Sequence, residues 1–354
     1  MNTGIQTNSR YKWVDVAKAI AIIFVYLGHW KTVHLTRFAY AFHLQLFFMV
    51  AGFFAIKSMK HSFRTWLSKK TMTLMVPYFL WVAISFIVSN LDNEEIVKKD
   101  FLSILFEPST MQPNYWFFSV IISVVLCYYL LYRIVKNANY ILIFAFAIHI
   151  IFGENGIIKN GLTHLIEKSP FIFRTLNQWI AVNAIPQYLF WYSLGAALFG
   201  IILQYTEMKE KDSHKFYVVG LISGLFSILL FFNNITDIAF LKPLINCNRV
   251  LNEVYSIICS IIIICFVIFI SKLFEESRIM NNIGQSSMNF MGLEFITHNL
   301  FTLSILPMIN LGIPVVSSTI QVLIVVIIHL MINLWISNRI NRYVPILNGS
   351  WNKR

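Results

Sequence analysis

Apolar residues fall in ten long blocks along this chain, separated by short polar stretches, and block length rather than alternation sets the expected architecture. The blocks predict membrane-spanning helices at roughly 13–30, 38–57, 71–90, 115–135, 139–152, 178–204, 215–233, 254–273, 290–310 and 313–337. The fifth is short for a bilayer and would extend through Gly153 and Gly156, tilt, or re-enter on one side. The connections at 91–114 and 153–177 could hold short amphipathic or interfacial pieces. No loop accommodates a soluble domain, and no internal repeat of the inverted-transporter kind is visible. The expected fold is an all-α polytopic bundle of about ten transmembrane helices in a single domain, residues 1–354, with short tails at about 1–12 and 338–354.

One block breaks the apolar pattern. Residues 14–29, VDVAKAIAIIFVYLGH, place Asp15, Lys18 and His29 in a segment otherwise suited to lipid, where ionisable groups are costly and usually mark a reaction or transport path. Lys18 and His29 are eleven positions apart, which at about 100° per residue returns within roughly 20° of the same helix face. At about 1.5 Å per residue they are separated by roughly 16 Å along the axis, near half the bilayer thickness. Asp15 lies one turn from Lys18 on the same side, about 21 Å from His29 and so out of its reach. The first helix is expected to remain as a signal-anchor, since no small-residue cleavage site follows it.

Composition agrees with a membrane setting. The chain is 57% hydrophobic and 12% charged, against about 25% charged in soluble domains, and its mean hydropathy is +0.67. The net charge of +12 is scattered among loops, which argues against a nucleic-acid partner and leaves membrane lipids as the surroundings. With the N-terminus inside, the inner segments carry 18 Lys and Arg and the outer ones 9, a positive-inside bias that predicts cytoplasmic termini. Lys18 then faces the cytoplasmic half and His29 the outer half. Cys127, Cys259 and Cys265 lie in apolar runs and Cys247 in a loop, with no paired spacing for a disulfide framework or a metal site.

Other polar positions extend the pattern. His43 sits among phenylalanines in FAYAFHLQLFFMVAGFF, and the following Ala51-Gly52 allows close helix packing. Lys69 and Lys70 lead into a span holding Pro77, which would free backbone carbonyls near a cavity. YWFFSVIIS opens the fourth span at 115–123. In IGQSSMNFMGLEFITH, residues 283–298, Glu294 and His298 are four apart on one face, with Glu294 close to the expected cytoplasmic boundary.

In order, these motifs resemble the membrane-bound acyltransferase-3 family: Asp15-x-x-Lys18-x10-His29, FHLQLFFMVAGFF, a basic stretch into VPYFLW, YWFFS, and IGQSSM followed by a histidine. The chain looks most like the stand-alone branch described as fucose-4-O-acetylase-like. The resemblance implies an integral-membrane O-acyltransferase, most simply an O-acetyltransferase, that moves an acyl group from cytoplasmic acetyl-CoA to an envelope polysaccharide or glycolipid. It also implies a multi-pass protein of a bacterial cell membrane. His29 fills the family's essential histidine and Lys18 its basic position, usually arginine, while His43 matches the histidine of the FH-x-PLFF pattern. Gln45 and Ala51 stand where proline and serine are usual, and Thr73 where a basic residue is common, leaving Lys69 and Lys70 as the nearest positives.

On this reading His29 is the candidate catalytic base, His43 a second catalytic candidate, and Lys18, Lys69 and Lys70 the candidates for binding the acyl donor. Asp15, Glu294 and His298 are further polar cavity candidates. No metal is called for. The bland alternatives stay open for each: Lys18 could snorkel to headgroups, Asp15 and His29 could be interfacial, and His43, His149 and His329 could be hydrogen-bonded core or cavity-lining histidines. A second functional class also remains, a transporter or flippase of an envelope precursor with His29, Glu294 and Lys18 as a proton relay.

Overall fold

The computed structural model describes residues 10–30, 33–89, 115–153, 157–158, 161–207, 213–233, 248–300 and 319–351. The expected connection at 91–114 and the 301–318 region of the ninth and tenth spans lie outside them. Every regular element among the described residues is helical.

The helices that build the bundle are α1 (Lys12–His29), α2 (Val33–Tyr40), α3 (His43–Phe53), α4 (Phe63–Lys70), a π-helical turn (Thr71–Met75) running into α5 (Val76–Ser89), and α6 (Trp116–Val135). They continue with α7 (Ala138–Phe152), α8 (Ile185–Thr206), α9 (Ser213–Phe232), α10 (Arg249–Leu273), α11 (Arg278–Gln285), α12 (Ser287–Leu300) and α13 (Thr319–Tyr343). Six uninterrupted helical runs among the described residues are long and apolar enough to cross a membrane. Of the four other expected spans, three differ for physical reasons and the ninth is cut by the extent of the described residues. α1 carries Lys12, Asp15 and Lys18; the second is broken in two; α7 stops after 15 residues; and the ninth is described only to Leu300. The chain is thus a multi-pass helical membrane protein.

α1 is the hub. Its small residues Ala17, Ala19, Ala21 and Gly28 are buried, and it packs against α2, α3, α10, α11, α12 and α13. Where lipid tails are as apolar as leucine, such close approach is a principal source of helix association. A methyl group at Gly284 of α11 would overlap the Asp15 carbonyl, which pins α11 beside the start of α1. α3 and α8 meet through a reciprocal pair: Gly52 lies on the Tyr192 carbonyl and Gly195 on the Met49 carbonyl.

The break in the second span leaves helix-end carbonyls that need partners. His43 Nδ1 donates to Ala39 O at 2.5 Å, and Ser260 Oγ of α10 donates to Ala41 O at 2.6 Å. The hydrophobic run across 38–57 is continuous in sequence, so these side-chain caps, not hydropathy, make the interruption tolerable.

Pro77 has a comparable effect in α5. Lacking an N–H, it cannot serve the carbonyl five residues back in the π ladder, that of Met72. Trp351 Nε1 donates to Met72 O at 2.9 Å instead. Gly349, at φ +68°, lies against the Thr73 carbonyl, and Trp81 Nε1 of α5 donates to Leu347 O at 3.1 Å. Residues 338–351, expected to belong to a short tail, therefore finish α13 and fold back through a 3-10 turn, Pro345–Asn348, onto α5.

Candidate active site

Two polar groupings lie along α1, one at each end. At the N-terminal end Asp15 is 3% exposed and accepts from Arg10 Nε at 2.6 Å and Lys18 Nζ at 2.7 Å. A buried carboxylate needs such pairing. The i,i+3 contact with Lys18 follows from helix geometry, whereas Arg10 precedes the helix and folds back onto it.

This grouping forms the mouth of a cavity of about 480 Å³, within the usual range of ligand pockets. Its basic residues are Arg10, Lys18 and Lys70, and its body is apolar, with Phe47, Met288 and Met291 among the lining side chains. Lys69 does not join them. It points to the exposed side of α4, where its Nζ lies 3.1 Å from His61 Nε2. Ala51, at a position where the family pattern has serine, lies in the same cavity wall.

At the other end of α1, His29 Nδ1 lies 2.7 Å from Glu294 Oε1. The carboxylate side chain is 5% exposed and the imidazole 30%, so the acid is enclosed and the ring is open on one edge. With Nδ1–H donated to the carboxylate, Nε2 carries the ring's available lone pair. His298 Nδ1 stands 3.9 Å from the same oxygen, and its ring packs on Trp30 at 4.7 Å between centroids. The sequence pattern sets Glu294 near the inner boundary and His29 in the outer half; the contact puts them at one depth. α12 begins at Ser287, ahead of the expected 290, and follows α11 along α1, so Glu294 is a mid-helix residue.

His43, at the start of α3, is buried. Its Nδ1 is spent on the Ala39 carbonyl, so any role toward a substrate falls to Nε2.

One turn beyond Glu294, Thr297 belongs to a polar lattice that sequence reasoning did not assemble, and its Oγ1 also donates to the Glu294 backbone carbonyl at 3.4 Å. Asn333 Nδ2 of α13 donates to Tyr26 OH at 2.6 Å and to Thr297 Oγ1 at 2.9 Å. Thr297 Oγ1 also meets His329 Nε2 at 2.6 Å, and Tyr26 OH donates to Phe290 O at 3.0 Å. These bonds tie α1, α12 and α13 together. The available signal was the His329/Asn333 spacing, four apart within an apolar helix, the same register as Glu294/His298.

Neither His29 nor Glu294 lines the cavity, but α12 runs from one to the other. Met291, in the cavity lining, precedes Glu294 by three positions, about 4.5 Å along the helix. Tyr115 OH donates to Gly292 O at 2.8 Å in the intervening turn, where a methyl at Gly292 would overlap Trp81.

The family model described as an acyltransferase domain, acyltransferase-3, matches residues 11–337. The chain belongs to the acyltransferase-3 family. The match runs from one residue before α1 into the last turns of α13, so it takes in both polar ends of α1 and every helix that supports them. No curated protein and no solved structure matches the chain. As a member of the acyltransferase-3 family it is a membrane acyltransferase, and the two sites along α1 are read below in that light.

Proposed function

We propose that the chain is an O-acetyltransferase that takes acetyl groups from acetyl-CoA on the cytoplasmic side and delivers them to a hydroxyl of an envelope polysaccharide or glycolipid. The observation that carries this reading is the His29–Glu294 contact of 2.7 Å, with Glu294 about one helical turn from Met291 in the wall of a cavity that also holds Arg10, Lys18 and Lys70. Its resemblance to the fucose-4-O-acetylase-like branch supports acetyl as the group moved.

The residues present suit the donor. Arg10, Lys18 and Lys70 supply positive charge for phosphates at the mouth, and the apolar body suits a pantetheine thioester. Bound there, the donor supplies an activated acyl group. His29 Nε2 takes the proton of the acceptor hydroxyl as its oxygen attacks the thioester carbonyl; the carbon–sulfur bond breaks, and the imidazolium returns the proton to the departing thiolate. Acceptor and thioester become ester and thiol, with no net proton change. Glu294 holds the ring by Nδ1 and stabilises its protonated form, the role a carboxylate plays in a hydrolase triad. The positive-inside pattern supports donor entry at the Lys18 end and acceptor approach at the His29 end.

The test is proton NMR of purified envelope glycan from cells with the wild-type chain, His29→Ala, or none. Alkali-labile O-acetyl signals found only with wild type are the expected result. Equal acyl signals in all three, at normal glycan yield, reject glycan acylation. A loss of surface glycan with unchanged acylation points to transport.

A further inference from the structure

A second cavity opens beside the basic mouth, and it has the opposite character. It is about 200 Å³ and is lined by carboxamides: Asn282 and Gln285 of α11, Asn338 and Asn341 of α13, and Asn348 of the folded-back tail, together with Arg10. The tail is held there by Asn348 Nδ2 donating to Gln285 O at 2.9 Å and by the Trp351–Met72 bond. Asn341 is occupied in structure, donating to Ser286 Oγ at 2.7 Å and accepting from Asn289 at 3.0 Å. Asn282 and Asn338 are exposed side chains.

Arg10 lines both cavities, so a cation stands between an apolar chamber and an amide-rich one. At about 200 Å³ the polar chamber is smaller than the roughly 300–1,000 Å³ usual for a whole ligand. It suits one end of a molecule whose remainder lies elsewhere. Carboxamides present a donor and an acceptor side by side, the pairing that reads the edge of adenine. Polar chamber, cation and apolar chamber follow the order nucleoside, diphosphate and pantetheine thioester. The geometry points to the carboxamide chamber as the nucleobase subsite of a nucleotide-linked acyl donor, with Asn282 and Asn338 reading the base and the C-terminal segment as its wall. This rests on the acyl-CoA reading above and adds to it a site, a set of residues and a role for the last turn of the chain.

The experiment is calorimetric titration of the full-length protein in lipid nanodiscs with coenzyme A and, separately, with 4′-phosphopantetheine, for wild type and for Asn282→Ala/Asn338→Ala. Expected are at least a tenfold tighter Kd for coenzyme A than for phosphopantetheine on wild type, and loss of about that tenfold in the double variant for coenzyme A alone. Equal wild-type affinities for the two ligands overturn the subsite while leaving the donor reading intact. So does a double variant of wild-type melting temperature that binds coenzyme A as wild type does, or that weakens both ligands alike. Wild-type protein that binds neither ligand removes the donor reading itself and the subsite with it. The wild-type comparison uses no substitution, so a folding defect in the variant cannot decide the outcome.

Discussion

Glu294 reaches His29 through a single oxygen, 2.7 Å from Nδ1, and the same oxygen stands 3.9 Å from His298 Nδ1. One enclosed carboxylate therefore serves two imidazoles, the nearer of them on the central helix. Replacing it with an amide of the same shape keeps the packing and removes the charge that stabilises imidazolium. Glu294→Gln should lower acyl transfer by about 10²–10⁴-fold at unchanged membrane abundance, the range attributed to general acid–base catalysis. His29→Ala should fall as far or further, and the double variant no lower than His29→Ala, because groups acting as a unit are not additive. Acetyl transfer measured in membrane vesicles checks this, and independent, multiplicative losses would separate the two residues.

At the other end of α1, Asp15 has two cationic partners, Arg10 and Lys18. Removing either leaves the buried carboxylate paired, so Arg10→Ala and Lys18→Ala should each fold. Removing both strands the charge, a loss of about 3–5 kcal/mol for a buried group deprived of its partner. The double variant should show sharply reduced membrane abundance and melting temperature. Lys18→Arg should retain activity, and Lys18→Ala should raise the apparent KM for donor.

The α3–α8 contact is a backbone-to-backbone one. Gly52→Leu or Gly195→Leu must push the two helices apart, at about 1–3 kcal/mol or more for overpacking. Gly200 has nothing within 4 Å of where a Cβ would lie. Gly200→Leu should accumulate normally, whereas either of the other two should not, as read by immunoblot of membranes and thermal melting.

A second histidine–carboxylate pair lies away from the proposed catalytic site. His149 Nε2 of α7 is 2.8 Å from Glu253 Oε1 of α10, and His149 Nδ1 donates to Gln187 O at 3.0 Å. Both side chains are buried, so this pair joins α7, α8 and α10 rather than facing a substrate. His149→Leu should lower the melting temperature by breaking the bonds that join α7 to α8 and α10. Activity per folded molecule should stay near wild type.

Features that depend on one helix were legible from spacing. The Lys18–His29 register and the Asp15–Lys18 pairing distance follow from helical periodicity, and the small size of Gly52 signalled a close approach without naming its partner. What depends on how one helix slides along another was not. Hydropathy assigns Glu294 to a span without specifying its depth, and depth here is set by where α12 starts and by Gly284 against the Asp15 backbone. Pro77 announced open carbonyls, but nothing local named Trp351 as the donor to Met72. Arg10 went unremarked because it precedes the helix whose carboxylate it holds. Lys69 and Lys70 are neighbours in sequence, and a helix sends neighbours about 100° apart, so only Lys70 faces the cavity.

The order of synthesis gives the hub helix a particular history. A ribosome delivers α1 first and α12 and α13 last, yet the partners that His29 and Tyr26 need, Glu294 and Asn333, reside on those last two helices. Until they arrive, the polar face of α1 has no permanent company in the bilayer beyond the Arg10–Asp15–Lys18 cluster at its start. The earliest helix is thus committed late. A chain truncated before α12 would leave His29 without its carboxylate, an ionisable group in the bilayer still waiting for its partner.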